Sequence, residues 1–171
     1  MKKQFVIRSA LPADAAGIAI VSAYTWLTAY SGLLSDEVLE KRISSIPAHT
    51  ERLIENISAA KRNYAVAEYC GAVIGFVCFG ASRDENYPDD GEIQALYVLK
   101  GFQGMGIGRM LVSHSINAFA GENRKNMIIN CLDGNSSAGF YSRIGGVVAG
   151  QRTDTLVTGH VITENIFRFT I

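Results

Sequence analysis

A glycine-rich segment near the middle of the chain carries the clearest chemical signal, Gln103-Gly104-Met105-Gly106-Ile107-Gly108-Arg109. It follows an apolar, strand-like stretch at 92–99 and precedes a stretch with helical spacing at 106–120. The first amides of a helix have no partner within the helix, and the helix start carries a partial positive charge. Glycine lets the backbone approach a ligand closely. The segment therefore predicts a cradle of N–H groups for a phosphate or diphosphate.

Several phosphate-binding motifs share this glycine richness. A P-loop ends in Gly-Lys-Ser/Thr, whereas Arg109 and Met110 follow Gly108 here, which argues against nucleoside triphosphate hydrolysis. A dinucleotide fingerprint reads G-x-G-x-x-G with an acidic residue about 20 residues later. The spacing here is G-x-G-x-G, but Asp133 after the next predicted strand keeps that alternative open. A glycine-rich turn without any ligand is the third alternative, and spacing alone does not decide among them.

Length and composition limit the remaining classes of function. The chain has 171 residues, which suits one domain over 1–171, and 16 basic residues balance 16 acidic ones. A net charge of zero favours neither nucleic acid nor an anionic membrane as a partner. The apolar stretches fall short of the ~20 residues that a membrane-spanning helix needs. Arg8 interrupts the first apolar stretch, and the cysteines are scattered in strand-like segments, so we expect a cytoplasmic protein with reduced thiols.

Hydrophobic periodicity and turn residues predict the elements that must position this segment. Strands are predicted over 5–9, 64–69, 73–79, 92–99, 126–132, 147–151 and 160–170, and helices over 12–32, 35–43, 50–60, 106–120 and 136–144. Ser35 starts a capping-box-like sequence, Pro47 interrupts the pattern before the third helix, and Gly145-Gly146 predict a helix end. This order predicts an α/β fold of the α+β kind, a mixed sheet with helices on both faces.

Three sequence elements in this order resemble the GCN5-related N-acetyltransferase (GNAT) family. Gln103, Gly106 and Gly108 match the family's coenzyme A signature Q/R-x-x-G-x-G/A. Residues 92–98 resemble its fourth strand, and 135–141 followed by Gly145-Gly146 are similar to its N-x-x-A-x-F-Y element. The stretch around Trp26, Tyr30, 32–34 and Asp36 resembles many bacterial members. The resemblance implies a mostly antiparallel mixed sheet of about seven strands, with a splayed gap between the fourth and fifth.

The resemblance also implies an activity and a set of site residues. Acetyl-CoA would be the co-substrate of an N-acetyltransferase that acts on a primary amine by direct attack in a ternary complex. The implied cofactor-binding residues are Leu96, Tyr97, Val98, Gln103, Gly104, Met105, Gly106, Ile107, Gly108, Arg109 and Asn135. Tyr141 would be the general acid and Glu92 the general base, directly or through water. Trp26, Tyr30 and Leu33 would lie at the acceptor pocket.

Each of these assignments has a purely structural alternative. Glu92 could be an exposed carboxylate at a strand start, Tyr141 a packing residue and Asn135 a helix N-cap. Arg109 could be solvated, and the aromatic side chains of the first helix could belong to the core. Cys131 is expected to pack in the core, and no metal-ligand spacing joins the histidines, so no metal is expected.

Two departures from the family pattern bear on the acceptor. The proline usual near residues 100–101 is absent. Asn130 stands where the branch that acetylates ribosomal-protein N-termini has glutamate, which argues against that role. The resemblance leaves the acceptor open and implies a small-molecule or peptide amine as substrate, with a homodimer possible. A coenzyme-A-binding sensor without turnover is the alternative function, and a structural module with an empty glycine turn is a third.

Overall fold

A computed structural model of the chain describes residues 5–156 and 158–171. Those residues form seven strands and five α-helices. In chain order they are β1 (Val6–Ser9), α1 (Ala15–Tyr30), α2 (Asp36–Ser44), α3 (Ile46–Ser58), β2 (Asn63–Tyr69), β3 (Ala72–Ala81), β4 (Gly91–Val98), α4 (Ile107–Gly121), β5 (Asn126–Leu132), α5 (Ala138–Arg143), β6 (Val147–Thr155) and β7 (Val161–Thr170). Residues 1–4, which precede the apolar stretch that Arg8 interrupts, lie outside the described range.

The predicted elements are present, with three local differences. The third helix begins at Ile46, four residues earlier than expected, because Pro47 lies in its first turn, where proline needs no hydrogen-bond acceptor. Ser35 is the N-cap of α2, but its side chain makes no capping hydrogen bond. β6 continues to Thr155 because it pairs with β7 along its length. The predicted helix end is found at Gly145, where φ is +102°.

The strands form a mixed sheet in the order β1-β2-β3-β4-β5-β7-β6. β1 with β2, β2 with β3, β5 with β7 and β6 with β7 are antiparallel, and β4 runs parallel to β5. The predicted fold class, a mixed sheet flanked by helices, is confirmed. Among the described residues, no helix is both long enough and apolar enough to cross a membrane.

The chain divides into two compact units, and β3 and β4 contribute residues to both. The first unit runs to Phe79 and includes 95–115. Its core joins α1, α3, β2 and β3, with the buried side chains Ile18, Val21, Leu53, Val66 and Phe76 in contact. The partly buried Ala95 and Tyr97 of β4 pack against this cluster. The aromatic side chain at position 97 is therefore held by the hydrophobic core.

Gly75 of β3 permits a close approach to β4 within the first unit. A Cβ atom at Gly75 would lie 2.9 Å from the carbonyl oxygen of Tyr97 and 3.1 Å from Cγ2 of Val98. Because the first of these is a backbone atom, it cannot move away as a side chain would. The glycine thus sets the position of the last residues of β4.

The second unit contains residues 80–94 and those from 116 onward. β4 enters this unit at Gly91, where a Cβ atom would lie 2.7 Å from the Phe119 ring of α4. The buried carboxylate of Asp90 accepts two hydrogen bonds from Arg168 of β7, at 2.7 and 3.2 Å. Glycine packing and a charge-assisted pair therefore fix the start of β4.

We predict that Gly75→Ala destabilises the protein by about 1–3 kcal/mol, because the new methyl group overpacks the contact between β3 and β4. Gly80→Ala on the same strand is the matched control, since its Cβ would meet only the Gln94 side chain at 3.8 Å. Urea denaturation measures both variants, and we expect the control to stay within about 1 kcal/mol of wild type. Equal stability of Gly75→Ala and wild type would contradict the close approach.

Candidate active site

The glycine-rich segment forms an open turn that leads into α4. Gly104 and Gly106 have φ angles of +76° and +83°, the left-handed region that favours glycine. A Cβ atom at either position would meet nothing within 4 Å. The Met110 amide donates to the Gly106 carbonyl at 3.0 Å, which begins the helical ladder. In the described part of the chain, the amides of 104–109 donate to no other backbone or side-chain group. The turn thus has the N–H donors that the sequence predicts.

Side chains on either side of this turn hold it in place. Nε2 of Gln103 donates to the carbonyl of Val98 at 2.9 Å and so ties the turn to the end of β4. The buried side chain of Ile107 anchors the first turn of α4 in the core. Met105 and Arg109 are exposed. The structure therefore uses Gln103 as a positioning residue and leaves Arg109 on the surface beside the open amides.

The last residues of β4 lie beyond its pairing with β5. The two strands pair only over three residues, from Gly91 opposite Met127 to Ile93 opposite Ile129, in the described chain. Leu96, Tyr97 and Val98 come after this segment. The amide of the following residue, Leu99, donates to the carbonyl of Ile74 on β3 at 2.9 Å. The resemblance assigns the backbone groups of these three residues to cofactor binding.

Two aromatic side chains of the predicted acceptor pocket meet a predicted cofactor-binding residue, Tyr97, in the first unit. Nε1 of Trp26 donates to the Tyr97 hydroxyl at 3.1 Å, and the hydroxyl of Tyr30 lies 3.4 Å from the same oxygen. The Trp26 and Tyr30 rings meet edge to face at 5.1 Å. Leu33 lies outside this group of contacts and is exposed. The three rings form a half-buried aromatic surface on α1 and β4, whose polar groups are the Trp26 N–H and the two tyrosine hydroxyls.

Glu92 is fully buried and forms an ion pair in the second unit. Its Oε2 accepts from the Arg83 amide at 2.8 Å and from Nε at 3.1 Å, and its Oε1 accepts from Nη2 at 2.5 Å. The Arg83 side chain is 48% exposed. Glu92 is therefore not the exposed carboxylate of the structural alternative. Sequence reasoning missed Arg83, although it is the one basic residue of an otherwise acidic loop at 83–92.

α5 and the turn before it carry Asn135 and Tyr141. Oδ1 of Asn135 accepts the Ser137 amide at 2.9 Å and so closes a turn just before α5, whereas the N-cap of this helix is Ser137, which makes no side-chain capping bond. The buried ring of Tyr141 packs at 5.5 Å from the ring of Phe167. On β5, Oδ1 of Asn130 is buried without a hydrogen-bond partner in the described residues. The structure therefore does not show the expected N-cap role of Asn135, and its turn uses Oδ1 but not Nδ2.

Burial makes Cys131 a protonated thiol. Desolvation, with smaller contributions from Glu164 and Asp133, raises its pKa to about 11. A thiol with this pKa is a poor nucleophile at neutral pH, which agrees with the expected core role. The described residues contain no group of three or more His, Cys, Asp or Glu side chains arranged to hold a metal ion.

Comparisons with known proteins agree on one family. The model of the acetyltransferase (GNAT) domain matches residues 60–145. A probable N-acetyltransferase of Mycobacterium tuberculosis is 30% identical over 138 residues, which cover 80% of this chain and 76% of that protein. The range matched by the family model includes the glycine-rich turn and both ends of α5.

Solved structures share the fold. The PaiA N-acetyltransferase of Thermoplasma acidophilum, solved with coenzyme A, has a TM-score of 0.77 at 18% identity over 98% of this chain and 99% of that one. YncA of Salmonella typhimurium, solved with acetyl-CoA, has a TM-score of 0.71 at 21% identity over 98% and 94%. With the family model and the mycobacterial relative, these similarities confirm the resemblance: the chain belongs to the GNAT family of acetyltransferases.

Proposed function

We propose that this protein transfers the acetyl group of acetyl-CoA to a primary amine by direct attack within a ternary complex. The observation that carries the proposal is the row of open amides at 104–109, located at the start of α4 and free of crowding side-chain atoms. Helix starts of this kind bind anionic oxygens well. A diphosphate such as that of coenzyme A fits both the donors and the charge of this turn.

The other cofactor contacts follow from the same elements. Backbone groups of Leu96 to Val98 lie beyond the paired part of β4, so a pantetheine arm could bind along them as an added strand would. The Val98 carbonyl already accepts from Gln103, which leaves it one further lone pair. We assign Leu96 to Val98 to the cofactor on this basis. Asn135 is assigned to it on the family resemblance alone, with Nδ2 as its donor.

The reaction sets three requirements for the residues of the chain. Bound acetyl-CoA supplies an acyl group activated as a thioester. An alkylamine has a pKa of about 10, so a base must remove its proton before it can attack. Backbone N–H donors of β4 would stabilise the negative charge that develops on the carbonyl oxygen. Tyr141 would donate the proton that the departing sulfur takes up.

Glu92 is our candidate for the base, and this role requires that its ion pair with Arg83 opens. The guanidinium and the backbone amide of Arg83 occupy both carboxylate oxygens of Glu92. Glu92 can therefore accept a proton only when the guanidinium moves aside. The exposed half of the Arg83 side chain gives it room to do so. A water molecule would then relay the proton from the amine to the carboxylate.

This ion pair also supports the alternative function, a coenzyme-A-binding sensor. If Arg83 never releases Glu92, the site has a cofactor cradle but lacks this base. Calorimetry with acetyl-CoA and a transfer assay on a broad amine panel separate the two functions. Binding together with transfer supports the enzyme, and binding without transfer to any amine supports the sensor. Absence of binding contradicts both.

Glu92→Gln should lower kcat at neutral pH by about 10²–10⁴-fold, the usual contribution of a general base. The dissociation constant for acetyl-CoA should change little, because the substitution leaves the amides of 104–109 in place. Glu85→Gln, an exposed carboxylate of the same loop, is the control and should stay within about twofold of wild type. A folded Glu92→Gln enzyme with wild-type kcat would remove Glu92 from the base role.

Tyr141→Phe should slow turnover by about 10²- to 10⁴-fold while the affinity for coenzyme A stays close to wild type, since only a proton donor is lost. The Phe ring keeps the packing against Phe167, so the melting temperature should change little. Tyr24→Phe, on an exposed tyrosine, serves as the control. Steady-state kinetics and calorimetry provide the measurements, and equal loss of turnover in both variants would argue against the acid role.

A further inference from the structure

Arg42 of α2 lies half-buried against the aromatic side chains described above. Its guanidinium carbon is 4.8 Å from the centre of the Trp26 ring, a cation–π contact. Nη2 donates to the buried hydroxyl of Ser22 on α1. Nε is buried and makes no hydrogen bond within the described residues. One of the five donors of this side chain is therefore enclosed and unused.

No carboxylate of the described chain lies within 4 Å of this guanidinium to balance its charge. The ion pairs of that part of the chain involve Arg8, Arg83, Arg124, Arg152 and Arg168. Burial lowers the pKa of Arg42; Tyr97 and Tyr30 act against this shift, and repulsion from Arg52 adds to it. Partial desolvation of a cation that has no anionic partner costs free energy, which a bound carboxylate would offset.

The neighbouring groups do not supply the missing anion. Burial, with the charges of Arg42 and Arg52, holds the pKa of His49 down to about 4, so this imidazole is neutral at physiological pH. Thr25, one helical turn after Ser22, also leaves its Oγ1 buried without a partner in the described chain. The surroundings of Arg42 thus combine an uncompensated positive charge with a second unused polar atom.

Trp26 connects this cation to the strand that we assign to the cofactor. Its ring contacts Arg42, and its Nε1 donates to the Tyr97 hydroxyl on β4. One side chain, that of Trp26, therefore connects Arg42 to Tyr97 of the proposed pantetheine-binding stretch. An acceptor that reaches the thioester along these aromatic rings would pass the guanidinium.

We propose that Arg42 binds a carboxylate of the acceptor, so that the acceptor is an amine that also carries a carboxylate, as amino acids do. This inference rests on the proposed function, because it names the class of amine. A planar guanidinium matches a carboxylate with two parallel hydrogen bonds, and the contact with Trp26 fixes the plane in which they form. A carboxylate would restore the charge balance that the described chain lacks.

Transfer rates for L-amino acids and for their carboxamides, measured in pairs with acetyl-CoA at pH 8, test this inference. The amide lacks the negative charge, and its amine is less basic, so intrinsic reactivity alone favours the amide. We expect kcat/KM to favour the acid by about 10- to 100-fold, the usual worth of a charge-assisted hydrogen bond. Phosphorylated amines, such as phosphoethanolamine, are included to distinguish a phosphate site from a carboxylate site.

Three variants identify the residue responsible. Arg42→Gln should abolish the preference for the acid, mainly through a higher KM, because the charged fork is removed. Arg42→Lys should restore the preference only in part, since it keeps the charge but loses the planar fork. Lys41→Gln, on an exposed lysine of the same helix, is the control and should keep the wild-type preference.

The outcomes separate this inference from the proposed function. Transfer to amines with equal rates for acid and amide, or a preference that Arg42→Gln leaves intact, overturns the inference while the acetyltransferase stands. A preference for phosphorylated amines overturns it as well. If no amine of the panel is acetylated, thermal shifts with the same acid and amide pairs decide, and equal shifts contradict the carboxylate site. Failure to bind acetyl-CoA in calorimetry contradicts the proposed function itself.

Discussion

The proposed function of this protein depends on one electrostatic feature, a row of backbone amides at 104–109 that have no acceptor among the described residues. A helix start always has such amides, but most are capped by a side chain or by solvent. Here two left-handed glycines keep side-chain atoms away, and the Gln103 side chain bonds to the Val98 carbonyl instead of capping the helix. These donors lie at the place where the partial charge of α4 is greatest.

The packing around β4 serves to position this feature. Gly75 lets β3 approach the backbone at Tyr97, and Gly91 lets the Phe119 ring lie against the strand start. Each end of β4 is therefore positioned by a glycine. At the end of the strand the glycine belongs to β3, and at its start it belongs to β4 itself. The charged groups nearby are used in different ways, since Glu92 is paired with Arg83 whereas Arg42 has no acidic partner in the described chain. An unpaired cation indicates a ligand more strongly than a satisfied ion pair does.

The sequence predicted the strands, the helices and the glycine-rich turn because each has a local signal, such as period-two apolar residues or glycines after a strand. It placed Glu92 by resemblance but could not find Arg83, since the pairing of a loop side chain depends on how residues 83–92 fold back. Arg42 was equally hidden, because its contact with Trp26 joins α2 to α1 across sixteen residues of sequence. Burial without a partner is a property of the packed chain and has no counterpart in residue spacing.

Backbone amide NMR of the ¹⁵N-labelled protein during a coenzyme A titration tests the central claim most directly. The account predicts that the resonances of 104–109 show some of the largest shift changes and that their exchange with solvent slows on binding, because these amides become donors to the diphosphate. Saturating coenzyme A that leaves those resonances and their exchange unchanged would contradict it, whether the cofactor binds elsewhere or does not bind.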